Sequence, residues 1–377
     1  MLGQGSASIV YVYGARPNFV KMAPVIRALS RRLPAERHVS VHTGQHYDAE
    51  MSTIFFEELG LPAPDHDLGV GSGTHAAQTA SAMVELENVL LAVSPAFVVV
   101  AGDVNSTLAA ALVAVKLGIP VAHVEAGLRS FDRTMPEEVN RVLVDQVSAW
   151  CFVHSPEAVE NLRHEGVHES RIHTVGNTMI DTLVQMRPAV ARSQVHERLG
   201  VPPGGYILVT LHRPALVDGP LLANVLSELD ALSRTYPVVF PMHPRTRARA
   251  SDFRCSSSSF HIVDPLGYAD FLALETFATG VVTDSGGVQE ETTYLGIPCF
   301  TLRENTERPI TVTEGTNRVL GMRVEALRDI PHLLDKTSAA HQPPDGWDGR
   351  AAERIAEILA GAEERMEVRD AGLVAVG

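Results

Sequence analysis

Short apolar runs rich in β-branched residues recur along the chain, separated by stretches whose apolar positions repeat with the period of a helix. In the first half these runs fall at Ile9–Tyr13, His38–His42, Phe97–Ala101, Pro120–Val124, Trp150–His154 and Arg171–Val175. In the second half they fall at Tyr206–Leu211, Val238–Met242, Phe260–Val263, Gly280–Thr283 and Pro298–Leu302. Nearly all-apolar strands alternating with helices predict parallel sheets covered on both faces. Two such series predict an α/β protein of two doubly wound domains.

The expected break lies near Val175–Thr178, giving domains 1–176 and 177–349, with a helix beginning around Met179. The stretch Pro202-Pro203-Gly204-Gly205 reads as the turn into the second domain's first strand. Gln342–Asp348 reads as a loop before a last helix at about Gly349–Met366, so that segment 350–377 is expected to return to the first domain.

A chain of 377 residues, 45% hydrophobic and 20% charged, has enough apolar content for two cores of ordinary size. No apolar run approaches the roughly 20 residues of a membrane helix. The start lacks the basic and long apolar regions of a secretion signal, so no membrane association and a cytoplasmic location are expected. A formal net charge of −14 argues against a nucleic-acid partner. Cys151, Cys255 and Cys299 are scattered; Cys151 and Cys299 lie in apolar runs and read as buried thiols rather than a disulfide framework.

In open parallel sheets ligands sit beyond the carboxyl ends of the strands, so the residues following each strand carry the chemical information. After the first strand, Gly14-Ala15-Arg16-Pro17 turns into a helix start. There Arg16 beside free N–H groups makes an anion site, with Lys21 one turn further on; a surface pair of cations is the plainer alternative. Gly102-Asp103 follows another strand, and Asp103 suits either catalysis or an N-cap. Glu125 directly follows an apolar strand, costly unless paired or used, and either pairs with Arg129 or acts in chemistry. Glu137 opens a helix, where acidic residues ordinarily complement the dipole. Convergence of Asp103, Glu125 and Glu137 at one sheet end favours divided acid and base roles, because mutual repulsion separates their protonation.

In the second half His212 and His243 each end a strand, and each is either a ligand-facing or a structural histidine. Thr283-Asp284-Ser285-Gly286-Gly287 runs from a strand into a helix, and two glycines let backbone approach a diphosphate at the helix N-terminus. Glu291, about one turn on, is placed to accept hydrogen bonds from ribose hydroxyls. Three patterns are set aside. Asp65-His66-Asp67 follows a Pro-rich turn and reads as a loop; Gly69-Val70-Gly71-Ser72-Gly73 lacks a dinucleotide loop's preceding strand; the histidines lack metal-ligand spacing. Neither a catalytic metal nor a cofactor is expected.

Taken together these segments resemble the non-hydrolysing UDP-N-acetylglucosamine 2-epimerases. The likeness runs through Gly14-Ala15-Arg16-Pro17, Thr43-Gly44-Gln45-His46-Tyr47-Asp48, Gly102-Asp103, Glu125-Ala126-Gly127-Leu128-Arg129, Pro136-Glu137-Glu138 and Asn140-Arg141. It continues through His212-Arg213, His243-Pro244-Arg245, Asp284 to Glu291, and Thr306-Glu307-Arg308-Pro309. The resemblance implies the glycosyltransferase-B (GT-B) fold, two Rossmann-like domains facing a central cleft, and a homodimer. It also implies interconversion of UDP-GlcNAc and UDP-ManNAc by elimination and re-addition of UDP. By that likeness Asp103, Glu125 and Glu137 are the catalytic carboxylates, and His212 lies near the departing diphosphate. Arg16, Ser285, Gly286 and Gly287 contact phosphate, Phe271 stacks on uracil and Glu291 binds ribose. Lys21 and His243 are counted with the substrate-binding residues. Gln45 and His243 are compatible with the substrate activation of some bacterial relatives, whereas Tyr47-Asp48 belongs to a different variant of that loop.

Two departures stand out. Ala15 and Asn18 replace the family's threonine and glutamate, and His212-Arg213-Pro214-Ala215-Leu216 replaces a glutamate and an asparagine with two apolar residues. The second bears on what that pair orders at the domain interface. A hydrolysing epimerase, a glycosyltransferase of the same architecture and a non-catalytic UDP-sugar sensor are the alternative readings.

Overall fold

The computed structural model describes residues 8–44, 56–335 and 341–374. The chain divides into two compact units, one of residues 1–184 with 345–377 and one of residues 185–344.

The first unit holds a seven-stranded sheet: β1 (Ile9–Tyr13), β2 (His38–His42), β3 (His66–Asp67), β4 (Phe97–Ala101), β5 (Val121–Val124), β6 (Trp150–Val153) and β7 (Ile172–Thr174). Their spatial order is β3-β2-β1-β4-β5-β6-β7, and every pairing is parallel. The centre is wholly apolar: every residue of β1 and β4 is buried. One face packs Val10, Val12, Val98 and Val100 against Leu86 and Leu90 of the helix His75–Val93 and Ala109–Ala111 of the helix Asn105–Lys116.

The second unit repeats the plan with β8 (Ile207–Thr210), β9 (Val238–Pro241), β10 (Phe260–Val263), β11 (Gly280–Thr283), β12 (Cys299–Thr301) and β13 (Asn317–Val319), in the order β10-β9-β8-β11-β12-β13, again all parallel. One face packs Val209, Phe240, Val282 and Phe300 on Leu226 and Leu229; the other packs Leu208, Val239 and Val281 on Ala273 and Leu274. In both sheets the order reverses beside the first strand, at β1/β4 and at β8/β11. Such a reversal opens a crevice at the strands' carboxyl ends.

Two edge strands depart from the sequence reading. His66–Asp67, expected in a loop, pairs with Val41 and His42, and Asn317–Val319 pairs with Cys299–Thr301. The division between units also falls later than 176/177, within the helix Thr178–Arg192. The first turns of that helix are bound to the first unit: Thr182 Oγ1 donates to the Val20 carbonyl at 2.6 Å. Asp181 accepts from the N–H groups of Ala351 (3.0 Å) and Ala352 (2.6 Å). Those donors open the last helix, Ala351–Val374, whose first N–H groups have no partner within the helix. Asp181→Ala should therefore leave two buried donors unpaired and lower stability by about 1–3 kcal/mol, read as a shifted urea midpoint at unchanged slope.

Cys151 and Cys299 are fully buried and unpaired to any cysteine, and burial pushes both thiols up to about 12. Among the described residues no helix is long and apolar enough to cross a membrane.

Candidate active site

At the carboxyl end of the first sheet, three strand-following loops converge. Gly14 must be glycine, since a Cβ there would lie 2.1 Å from Ser106 Oγ and 2.4 Å from Thr43 Oγ1. The helix Arg16–Ser30 that follows is tied down by Asn18. Its Oδ1 accepts from Ala15 N (3.1 Å) and its Nδ2 donates to the Ala101 carbonyl at the end of β4 (2.7 Å). The residue that departs from the family pattern thus joins the β1 and β4 loops at the sheet's reversal point. The Arg16 side chain lies outside the described residues, as do Gln45, His46, Tyr47 and Asp48.

Glu125 follows β5 with a φ of 69°. A non-glycine residue in the left-handed region costs about 1 kcal/mol or more and persists only when its surroundings impose it. The Glu125 carboxylate is buried and paired with the Lys21 ammonium, itself buried. Lys21, expected at a phosphate, is therefore engaged by the carboxylate. The two line a pocket of the first unit with Phe152, Asn177 and Thr178. Gly102 approaches the same spot: a Cβ on it would lie 3.0 Å from Lys21 Nζ and 3.3 Å from Glu125 Oε2.

The pairing of Glu125 with Arg129 does not occur. Arg129 reaches Asp145 (2.7 Å) and Glu165 (2.6 Å) instead. Asp145 also binds His123 Nδ1 at 2.7 Å. Burial alone would push the Asp145 carboxyl up, but His123 and Arg129 hold it below the ordinary carboxylate range. This network supports β5 from beneath the loop.

Asp103 is not an N-cap; Val104 takes that position for the helix Asn105–Lys116. Its carboxylate instead accepts from Arg141 Nε at 3.0 Å, and its carbonyl accepts from Asn140 Nδ2 at 2.8 Å. Both partners lie on the helix Pro136–Val147, one turn after Glu137, on the face Glu137 shares. Glu137 is half-buried and has no hydrogen-bond or ion-pair partner among the described residues. Its neighbour Glu138 is structural: buried, it accepts from Ser130 N and Phe131 N (2.9 Å each) and pairs with Arg141 at 2.8 Å. One helix thus fixes Asp103 and carries an uncommitted carboxylate one turn before the residues that hold it.

The second unit builds a different kind of site at the β8/β11 reversal. Asp284 ends β11 fully buried and accepts from His212 N (2.9 Å) and Arg213 N (2.7 Å), both following β8. The His212 ring donates from Nδ1 to Asp284 at 2.9 Å, which leaves Nε2 on a largely exposed ring as the acceptor. Burial would push Asp284 up, yet the His212 ring and the two backbone donors hold it below its ordinary range.

Ser285 is the N-cap of the helix Gly286–Leu295 and makes no side-chain cap bond. The first N–H groups of that helix therefore lack a capping side chain. A Cβ on Gly286 would lie 2.3 Å from Arg308 Nη1, so the glycine lets a guanidinium close on the helix start. Arg308 is held by Glu290 at 3.1 Å and by Glu307, which also grips Arg303. A helix N-terminus, Ser285-Gly286-Gly287 and a fixed guanidinium thus come together at one turn.

The other expected residues fall in the same unit. His243 follows β9 and is exposed. Phe271, on the helix Tyr268–Thr276, packs half-buried against the core beneath it. Glu291 is buried and accepts from the Tyr268 hydroxyl at 2.6 Å. Pro214–Val217 forms a short helix in which Leu216 is buried among Val209, Leu211 and Leu226. The apolar residue at that departure thus serves the second unit's own core.

A sequence model described as UDP-N-acetylglucosamine 2-epimerase matches residues 28–360. The chain belongs to the UDP-N-acetylglucosamine 2-epimerase family. It is similar to the UDP-N-acetylglucosamine 2-epimerase of Methanocaldococcus jannaschii, 44% identical over 359 residues that cover 92% of this chain and 97% of the other. The crystal structure of that organism's UDP-GlcNAc 2-epimerase in complex with UDP-GlcNAc and UDP superposes with a TM-score of 0.86 at 42% identity, covering 93% of this chain and 99% of that one. The UDP-2,3-diacetamido-2,3-dideoxy-D-glucuronate 2-epimerase of Pseudomonas aeruginosa is 40% identical over 365 residues, covering 93% and 99% of the two chains. Family membership makes the protein an isomerase with the two parallel-sheet domains of the GT-B-type epimerases.

Four residues of this UDP-N-acetylglucosamine 2-epimerase family member escaped the site reading: Asn18, Arg141, Tyr268 and Asp284. Arg141 and Asp284 stood within segments of the family likeness and Asn18 at one of its departures, each without a role, and only Tyr268 carried no signal.

Proposed function

We propose that the protein interconverts UDP-N-acetylglucosamine and UDP-N-acetylmannosamine without net hydrolysis. A carboxylate takes the C2 proton as the C1–O bond to UDP breaks, leaving a C1=C2 double bond in 2-acetamidoglucal. The UDP oxygen then re-forms the bond to C1 while an acid returns a proton to C2 on the opposite face. The first unit supplies the acids Asp103, Glu125 and Glu137. The second supplies the Ser285-Gly286-Gly287 turn, Arg308 and His212 for the departing diphosphate, and Glu291 for the ribose.

The observation that carries this reading is the carboxylate set at the ends of β4 and β5. Glu125 is paired with Lys21, Asp103 with Arg141, and Glu137 is uncommitted. A transferase needs one base for its acceptor, and a binding protein none. Three acids held in different charge environments suit a proton that must leave one face and return to the other.

The test is incubation with UDP-N-acetylglucosamine in deuterium oxide, followed by NMR. Deuterium at C2 of an intact UDP-sugar of both configurations is expected. Free N-acetylmannosamine with UDP would convert the reading to a hydrolysing epimerase. Unlabelled starting material would overturn it, and turnover of a diacetamido-uronate substrate alone would move the specificity to that sugar.

A further inference from the structure

The Glu291 carboxylate has an asymmetry that its place in the ribose reading does not explain. Oε1 accepts from the Tyr268 hydroxyl at 2.6 Å, whereas Oε2 has no hydrogen-bond partner among the described residues. Tyr268 opens the helix Tyr268–Thr276, Glu291 lies in the helix Gly286–Leu295, and both side chains are buried. A second carboxyl, Glu275, is fully buried within electrostatic range of both, with neither oxygen hydrogen-bonded among the described residues. An ionised carboxylate without a partner is too costly to bury, so Glu275 is held neutral. The other groups facing this cluster are Glu290, tied to Arg308, and the buried Cys299 thiol.

We propose that Tyr268 is a positioning residue: by occupying Oε1 it fixes the Glu291 carboxylate so that Oε2 meets a ribose hydroxyl of the bound nucleotide. This rests on the reading that Glu291 holds the ribose. The tyrosine also acts on charge. Burial pushes Glu291 up, the Tyr268 hydrogen bond opposes this by favouring the ionised form, the Glu290 charge adds to the rise, and together they place it at about 7. A ribose hydroxyl donating to a carboxylate forms a bond roughly twice as strong as one to a neutral acceptor. Nucleotide affinity is therefore strongest above about pH 7 and weakens as Glu291 takes up a proton below it. The diphosphate of a UDP-sugar is esterified at both ends and does not titrate there.

The experiment measures KM and kcat for UDP-N-acetylglucosamine between about pH 6 and 9 in the wild type, Tyr268→Phe and Glu291→Gln. The wild-type KM is expected to rise on acidification. In Tyr268→Phe the KM should rise several-fold at neutral pH, its midpoint should move to higher pH, and kcat should hold within about twofold. Glu291→Gln should show a raised KM that no longer depends on pH. Site-specific 3-fluorotyrosine at position 268, a stronger donor, should move the midpoint the other way and serves where the phenylalanine variant does not fold. A wild-type KM profile in Tyr268→Phe, or an unmoved midpoint with 3-fluorotyrosine, overturns the role of Tyr268 while a raised KM in Glu291→Gln keeps the ribose reading. An unchanged KM in Glu291→Gln sinks both.

Discussion

Asp103→Asn is expected to lower kcat by about a hundredfold or more, the range for losing a positioned general acid or base, with UDP affinity retained. The geometry makes this substitution clean. Asp103 accepts one bond from Arg141 Nε, which an amide oxygen can accept as well, and its carbonyl contact to Asn140 is untouched. The loop after β4 should keep its shape, so the change removes charge and basicity rather than structure. Three readouts separate the possibilities: kcat for epimerisation, the rate of deuterium incorporation at C2, and UDP binding by calorimetry. Unchanged turnover would remove Asp103 from the chemistry. A parallel loss of UDP affinity would assign it to binding instead.

The strand pattern of both sheets was legible because a parallel strand covered on both faces has to be apolar throughout. All eleven expected runs are strands in the structure, five with the expected bounds and six shorter by one or two residues. The two that escaped, His66–Asp67 and Asn317–Val319, are edge strands: short, partly polar, and defined by the neighbour they pair with. The residues after each strand were legible for the same topological reason.

What they touch was not. Arg129 lies four residues from Glu125, yet it binds Asp145 and Glu165, and Glu125 takes Lys21 from a helix far earlier in the chain. Partner choice among buried charges is decided by which side chains the sheet order brings together, and that order is invisible in local spacing. Leu216 makes the complementary point. As a departure from a polar family position it pointed towards the domain interface, whereas in the structure it belongs to the buried apolar cluster of the second unit with Val209 and Leu211. The division of the chain moved into the helix Thr178–Arg192 for a similar reason, since Asp181 and Thr182 find their partners in the first unit.

Asp284 is where structure and chemistry are most tightly joined, and its replacement should be the most damaging in the second unit. The carboxylate is fully buried and satisfies two backbone donors and the His212 ring. Asp284→Ala would leave the two backbone donors without their acceptor, while the exposed His212 ring could turn to water, a loss of about 1–3 kcal/mol. The loss should appear as a lower urea midpoint and should depend on pH in a definite direction. Asp284 is held below its ordinary value of 3.8 in the folded protein, so its contribution is present above that pH and is lost as pH falls through the folded value. The gap between wild type and Asp284→Ala is therefore expected to be full at neutral pH and to shrink in acid. Asp284→Asn separates the two roles. An amide oxygen can still accept from His212 N and Arg213 N, so most stability should survive. The His212 ring would lose the acceptor that holds its proton on Nδ1, and an aspartate-to-asparagine change behind a catalytic histidine has lowered turnover by up to about 10⁴-fold elsewhere. A loss of kcat with a nearly wild-type urea midpoint is the expected signature. Full activity in Asp284→Asn would show that the orientation of His212 does not matter to the departing diphosphate.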